Sequence, residues 1–418
     1  MRARTGPTLV RSSAGGTYEA LSHHGPALFS PTPTRKGTAV KNTKKYAAAL
    51  AGVGVAATLI SIAPLAHADR VDPAPISGFV AVGSDTLQDV VGALSDGTSV
   101  TGSRVRSTAS GEYFASYNAT GTPGIQAKID GPTFGRPNGS GDGVKALSRS
   151  IDGAPYTSGT AGAPAAVSIS GQVDIARSSS GPGSNTDANG PLVYLPFGRD
   201  ALSYAYSGDQ ANLGNLNAAT LKGIFDCTTT SVNGTTVTPV IPQAGSGTRK
   251  DFIGKIGLTE NDIKTVAAGG CVQVGQEHDT QFLADGSTPF PQNAVTPISV
   301  AQWVAQNTGA ANSRIGEGVK IGSPIAAAPT TGSGATVAPN KEFYDNATWG
   351  RDTYLVVEYA RIDPSNAKFD AKLDNLLGET GSKLISSQSA LASQAGSVKQ
   401  KFGFLAPNSS TPIRAKLS

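Results

Sequence analysis

The chain has 418 residues, 51 of them Gly, which is well above the average usage of about 7%. Charged residues make up 15% and hydrophobic ones 38%, a balance that excludes wholesale disorder and leaves enough apolar matter for a real core. The formal charge of +4 belongs to the N-terminal end: residues 1–68 hold eight Lys or Arg and one acid, so the remainder carries 26 basic and 29 acidic residues, a net of −3. Nothing in that remainder points to nucleic acid. Beyond residue 68 there are one His (His278) and two Cys (Cys227 and Cys271). These are too few for a His/Cys zinc site and a poor basis for a Ser-His-Asp triad. The length fits two or three domains, or one large two-lobed unit.

Lys41, Lys44 and Lys45 precede an apolar run over 46–65, and Ala66-His67-Ala68 follows. A basic segment, an apolar stretch and a small-x-small end predict a secretory signal peptide cleaved after Ala68. A membrane anchor is the competing reading, and Pro64 with the Ala-x-Ala end favours cleavage. No Cys stands at the cleavage point, so a bacterial lipoprotein anchor is not expected. Met1 is the only Met, and residues 1–40 are long for a basic leader. Translation from a non-AUG codon at Val40 is therefore expected, and peptides from 1–39 in the unprocessed precursor would contradict it. Export to an oxidising compartment predicts that Cys227 and Cys271 pair, closing a loop of about 45 residues, with two buried free thiols as the alternative.

Residues 69–78 read as an extended leader. Phe79-Val80-Ala81-Val82 is a short buried strand that breaks at Gly83-Ser84-Asp85-Thr86, and Leu87, Val90, Val91 and Leu94 follow at helical spacing. Asn138-Gly139-Ser140-Gly141-Asp142-Gly143 precedes a second helix start. Val173-Asp174-Ile175-Ala176 is a strand running into Arg177-Ser178-Ser179-Ser180. The stretch 192–206 is extended and aromatic-rich. A helix around Leu221, Ile224 and Phe225 follows. Ala244-Gly245-Ser246-Gly247-Thr248 precedes a helix presenting Phe252, Ile253 and Ile256. Another helix lies near 301–306, and Thr331-Gly332-Ser333-Gly334 is a loop. A strand covers 353–359, a helix is expected over 370–400 with Leu373, Leu376 and Leu377 on one side, and 408–418 reads as a loose tail. Strands alternating with helices predict an α/β architecture with largely parallel pairing.

The loops at residues 83–86, 138–141, 177–180 and 244–248 share one chemistry. Each sets hydroxyls and small residues at or near a helix start, where unpaired N–H groups carry about half a positive charge. Gly permits close backbone approach, so such loops can hold an anion without Lys. Each also has a local reading. Ser84 or Thr86 can cap the Leu87 helix and Thr248 the later one, with Asp85 and Asp142 as capping acids. Arg177 reads as a solvated strand end, and His278 as a surface residue. No G-x-S-x-G, P-loop or dinucleotide fingerprint occurs. A carboxylate pair for glycoside hydrolysis depends on a separation that sequence does not reveal.

Taken in order, these loops resemble those of the phosphate-binding protein of the high-affinity phosphate ABC importer, within the type II periplasmic binding-protein superfamily. The stretch Pro196-Phe197-Gly198-Arg199-Asp200-Ala201-Leu202-Ser203-Tyr204 and the helix Leu221-Lys222-Gly223-Ile224-Phe225 match in order and spacing, and the similarity covers most of 78–405. The resemblance implies two α/β lobes joined by two crossover strands, with the ligand between them: 75–198 plus 352–418 as one lobe, 199–351 as the other. It implies ligand contacts from Ser84, Asp85 and Thr86, from Ser140 and Gly141, from Ser178 and Ser179, and from Ser246, Gly247 and Thr248. Two departures stand out. Pro242 and Ala244 occupy the positions of the family's Arg and acid, and Ser179 replaces the acid that accepts the anion's proton. A buried anion needs its charge met and its proton accepted. Arg177 or Arg249 is expected to supply the charge and Asp85 the acceptor.

The resulting expectation is a secreted, monomeric, non-enzymatic solute-binding protein, without cofactor or metal, that captures phosphate or a related oxyanion for an ABC permease. The alternative is a secreted or surface protein using the same fold for sensing, adhesion or another solute. A hydrolase with hidden carboxylates is the weakest reading.

Overall fold

The computed structural model describes residues 71–418; the expectations for the signal peptide, its cleavage point and the Val40 start lie outside them. Phe79–Gly83 (β1) leads into Asp85–Asp96 (α1), followed by Phe114–Ser116 (β2) and Ser140–Asp152 (α2). Next come Ile175–Ser178 (β3), the long strand Leu192–Tyr206 (β4) and Ala218–Phe225 (α3). Thr238–Pro242 (β5), Gly247–Lys255 (α4), Gln273–Gly275 (β6), Ala294–Ser299 (β7) and Val300–Asn307 (α5) repeat the alternation. Lys320–Gly322 (β8), Gly350–Glu358 (β9), Ala371–Leu376 (α6), Ala395–Lys401 (α7) and Ile413–Ala415 (β10) complete the frame.

These strands form one ten-stranded sheet in the order β6-β5-β7-β4-β9-β3-β1-β2, with β8 and β10 also on β4. The order has an internal echo. On one side β2-β1-β3 run parallel and meet β9 antiparallel; on the other β6-β5-β7 run parallel and meet β4 antiparallel. β4 and β9 pair with each other along their length and shift register between Pro196 and Gly198. The fold is thus mixed α/β, two doubly wound halves joined through two shared strands.

Alternation along the strands explains the layers. In β1, Phe79 and Ala81 face a core with Leu87, Val90, Val91 and Leu94 of α1 and with Leu373, Leu376 and Val398. Val80 and Val82 face the opposite core with Val144, Ala146 and Leu147 of α2. In the other half, Tyr204, Ile241 and Val295 pack with Leu221, Ile224, Phe225, Phe252 and Ile253. Ala205 and Ile298 pack with Trp303 and Val304 on the far face. Cys227 and Cys271 form a disulfide with Cα atoms 5.9 Å apart.

Two segments depart from the sequence reading. The helix expected over 370–400 is two short helices, α6 and α7. Gly378 and Gly381 interrupt it, the latter with φ +62°, a conformation that favours Gly and ends a helix. The tail expected over 408–418 contributes β10, which pairs antiparallel with Leu192, Val193 and Tyr194. Among the described residues, no helix is long and apolar enough to cross a membrane.

Candidate functional site

In an open α/β sheet, ligands bind beyond the carboxyl ends of the strands. Here those ends from both halves of the sheet face one another. β1 leads into Ser84, β3 into Ser179, β5 into the loop before α4, and β6 into Gln276-Glu277-His278. The loops touch through specific atoms. The Gly141 N–H donates to the Gly245 carbonyl at 3.0 Å, which ties α2 to the loop before α4. A Cβ on Gly139, where φ is +107°, would lie 2.5 Å from the same carbonyl oxygen. Only Gly lets the two loops approach this closely.

The hydroxyls fall into two adjoining groups. In the first, Ser140 Oγ accepts from the Ser179 N–H at 3.0 Å and lies 3.1 Å from Ser179 Oγ. A Cβ on Gly247 would come within 2.5 Å of both hydroxyl oxygens. Ser246 Oγ accepts from the Arg249 N–H and caps α4, the role expected of Thr248. Ser178 Oγ turns back to the Ser180 carbonyl at 2.6 Å. Ser140, Gly141, Ser178, Ser246 and Gly247 all line a cleft of about 320 Å³.

The second group is buried. Thr86 Oγ1 donates to Glu277 Oε1 at 3.1 Å and lies 3.0 Å from His278 Nε2 and 3.4 Å from Thr248 Oγ1. Thr248 Oγ1 accepts from Arg351 Nη2 at 2.9 Å. Arg351 also binds Asp200 through Nε and Nη2, at 3.0 and 2.9 Å, and Asp251 through Nη1 at 3.2 Å. Asp85 Oδ1 accepts from Gln276 Nε2 at 2.9 Å. Three buried polar atoms here have no partner: Ser84 Oγ, Asp85 Oδ2 and Glu277 Oε2. Ser84 stands at the cap position of α1, yet its side chain makes no capping bond.

The carboxyls differ sharply. Burial, and then the negative charge of Glu277, hold the Asp85 carboxyl well above the usual range. Burial also pushes Glu277 up. His278, by charge and hydrogen bond, together with bonds from Ser246 and Thr248, outweighs that and brings it down to about 2. The site therefore sets side by side a carboxyl shifted up and a carboxyl shifted down.

Three expectations need correction. His278 is not a surface residue: it is 2% exposed, adopts φ +62°, and bonds to Thr86. Arg177 is not a solvated strand end. It is fully buried, and its guanidinium donates to the carbonyls of Ala81, Gly83 and Ser84 and to Ser116 Oγ. Its charge thereby organises the β1 loop from behind. Arg249 turns the other way, to Glu260 and the Pro242 carbonyl. The guanidinium that reaches the threonines belongs to Arg351, which the sequence reading passed over along with Asp200, Glu277 and Gln276. A signal existed for the last two: Gln276-Glu277-His278 follows a strand as the four nominated loops do.

No family model and no curated protein matches the chain. Among solved structures, the chain is similar to an ABC-type phosphate transport receptor from Vibrio cholerae. The identity is 17% and the TM-score 0.45, over 79% of this chain and 100% of the other. It is also similar to PstS from Borrelia burgdorferi, at 13% identity and a TM-score of 0.38, over 80% of this chain and 100% of that one.

Proposed function

We propose that this chain is an exported solute-binding protein that captures a small oxyanion, phosphate foremost, between two lobes and passes it to an ABC permease. The lobes are 75–198 with 352–418, and 199–351, and β4 and β9 act as the hinge between them. One observation carries the reading: hydroxyl-bearing loops far apart in sequence meet at the facing strand ends, Thr86 against Thr248 and Ser140 against Ser179 and Gly247. Three helices, α1, α2 and α4, begin at this meeting point, and their N-terminal N–H groups favour an anion.

The chemistry suits a partly protonated oxyanion. Ser84, Ser140, Ser246 and the threonines supply hydroxyl donors. Arg351 supplies positive charge next to Thr248. The Glu277 carboxylate can accept a hydrogen bond from a protonated ligand oxygen, and Asp85, whose carboxyl holds its proton more tightly than usual, can donate one while protonated. The ordered loop resemblance drawn from the sequence points the same way. Together these replace the Arg and acids whose usual positions are Pro242, Ala244 and Ser179.

Thermal unfolding with phosphate, arsenate and sulfate tests the proposal. An anion at 100 times its dissociation constant adds about 2.7 kcal/mol of stability. Phosphate and arsenate, which carry a proton at neutral pH, are expected to raise Tm more than sulfate. A Tm indifferent to all three removes the oxyanion reading.

A further inference from the structure

Arg177, Arg249 and Arg351 are committed to partners in the fold. Arg177 donates to the β1 loop, Arg249 to Glu260 and the Pro242 carbonyl, and Arg351 to Asp200, Asp251 and Thr248. Arg314 differs. Its Nε is buried without a partner. Its one ion pair among the described residues, Nη2 to Asp89 Oδ2, spans 3.7 Å, too long for a hydrogen bond. Its main chain, by contrast, is fixed. The Arg314 N–H donates to Gln306 Oε1 at 2.7 Å, Gln306 Nε2 donates to the His278 carbonyl at 3.1 Å, and the Arg314 carbonyl accepts from the Thr280 N–H at 2.9 Å. The root of the side chain is thus tied to the loop that carries Glu277 and His278.

Asp89 lies one helical turn beyond Asp85 on α1, so the two share a face of that helix, with Cβ atoms about 5–6 Å apart. Gln302 of α5 spans both places, donating to Asp89 Oδ2 at 3.1 Å and to the Asp85 carbonyl at 3.3 Å. The unpartnered Ser84 Oγ and Asp85 Oδ2 stand at the start of the same helix, on residues 0% and 1% exposed. Burial and then the charge of Glu277 push the Asp85 carboxyl up, and the charge of Arg314 is the largest influence bringing it down. A cleft of about 620 Å³, lined in part by Gln88, Asp89 and Arg314, gives the guanidinium room to turn. An anion brought to Ser84 and Asp85 adds negative charge to a neighbourhood where Arg351 is already matched by two carboxylates. It needs a further cation within hydrogen-bond reach.

We propose that Arg314 is the guanidinium that meets the captured anion: it leaves Asp89, turns back along the α1 face and donates to the anion held at Ser84 and Asp85. Asp89 is its resting place. The inference rests on the oxyanion-capture reading, and calorimetric titration with inorganic phosphate tests both. Arg314→Gln should weaken phosphate roughly ten- to a hundredfold, the loss expected of charged hydrogen bonds. Arg314→Lys keeps the charge without the fork and should fall between. Asp89→Asn frees the guanidinium, so it should tighten phosphate several-fold, and it should gain nothing in an Arg314→Gln background. A pair that merely braced the seam would weaken binding when either partner is removed, so a loss in both single variants overturns the proposal. The Tm of Arg314→Gln without anion should stay at the parent's value, since a partly exposed pair at 3.7 Å contributes little. Lys320→Gln removes an exposed charge from the same half of the molecule and should leave the affinity unchanged. An equal loss there means a bulk charge effect and also overturns the proposal. Phosphate bound equally by the parent and by Arg314→Gln overturns it and leaves oxyanion capture standing. No binding by the parent overturns both.

Discussion

At the scale of single residues, the buried charges divide into those that serve the frame and those that serve the cleft. Arg351 and Asp200 are 6% and 0% exposed and stand directly opposite each other on β9 and β4. Removing one partner of such a pair leaves an uncompensated buried charge, which costs roughly 3–5 kcal/mol. Arg351→Met is expected to lose that much in denaturant unfolding, and adding Asp200→Asn should restore part of it. Independent, additive losses would show that the two side chains do not act as a pair. Arg177 belongs to the frame. Arg177→Met removes the charged donor to the Gly83, Ser84 and Ala81 carbonyls, of which Ala81 keeps the Tyr117 N–H, at about 1–3 kcal/mol. That loss should appear in stability measured without any anion. A variant as stable as the parent would contradict the bracing role.

At the scale of elements, what the sequence disclosed was local. Strand, glycine-hydroxyl loop and amphipathic helix are written in adjacent residues, so Gly83 to Leu94 and Ala244 to Ile256 could be read directly. The extended run over 192–206 coincides with β4 because its apolar content has no helical period. Arg351 and Asp200 could not be found this way, since their partnership is a cross-strand register between segments 151 residues apart. His278 shares the post-strand position of Gln276 and Glu277, but its burial was not legible, since it depends on Thr86 and on elements folded against it. The 370–400 region misled because Leu373, Leu376 and Leu377 do reach the core, but from a short helix that stops at Leu376, ahead of a non-helical stretch containing Gly378 and Gly381. Two predictions belong here. Gly139→Ala places a methyl 2.5 Å from the Gly245 carbonyl at a φ that other residues avoid. It should cost about 1–3 kcal/mol and weaken anion binding, because it separates the α2 and α4 loops. Replacing Cys227 and Cys271 by Ser should cost about 3–4 kcal/mol in the chain-entropy model. Unchanged unfolding under reducing conditions would contradict that.

At the scale of the whole molecule, the two halves of the sheet meet over two carboxyls shifted in opposite directions, and this makes stability depend on pH from both sides. The Asp85 carboxyl is raised in the fold by burial and by the charge of Glu277. Its contribution is complete below the ordinary aspartate range and fades as pH rises through the folded value. The Glu277 carboxyl, pushed up by burial but held at about 2 by His278, Ser246 and Thr248, behaves in the opposite sense. Its contribution is present above the ordinary glutamate range and fades as pH falls toward about 2. The parent should therefore show a Tm that declines on both flanks. Asp85→Asn keeps a neutral side chain at every pH, so it should flatten the alkaline flank and leave the acid flank. Glu277→Gln should flatten the acid flank. It also leaves Asp85 with one fewer negative neighbour, so the alkaline decline should become shallower as well. Calorimetric melting across acid to mildly alkaline pH distinguishes these outcomes. Profiles parallel to the parent's for both variants would mean that the two carboxyls do not set the pH dependence, and the donor–acceptor arrangement proposed for a protonated oxyanion would lose its physical basis.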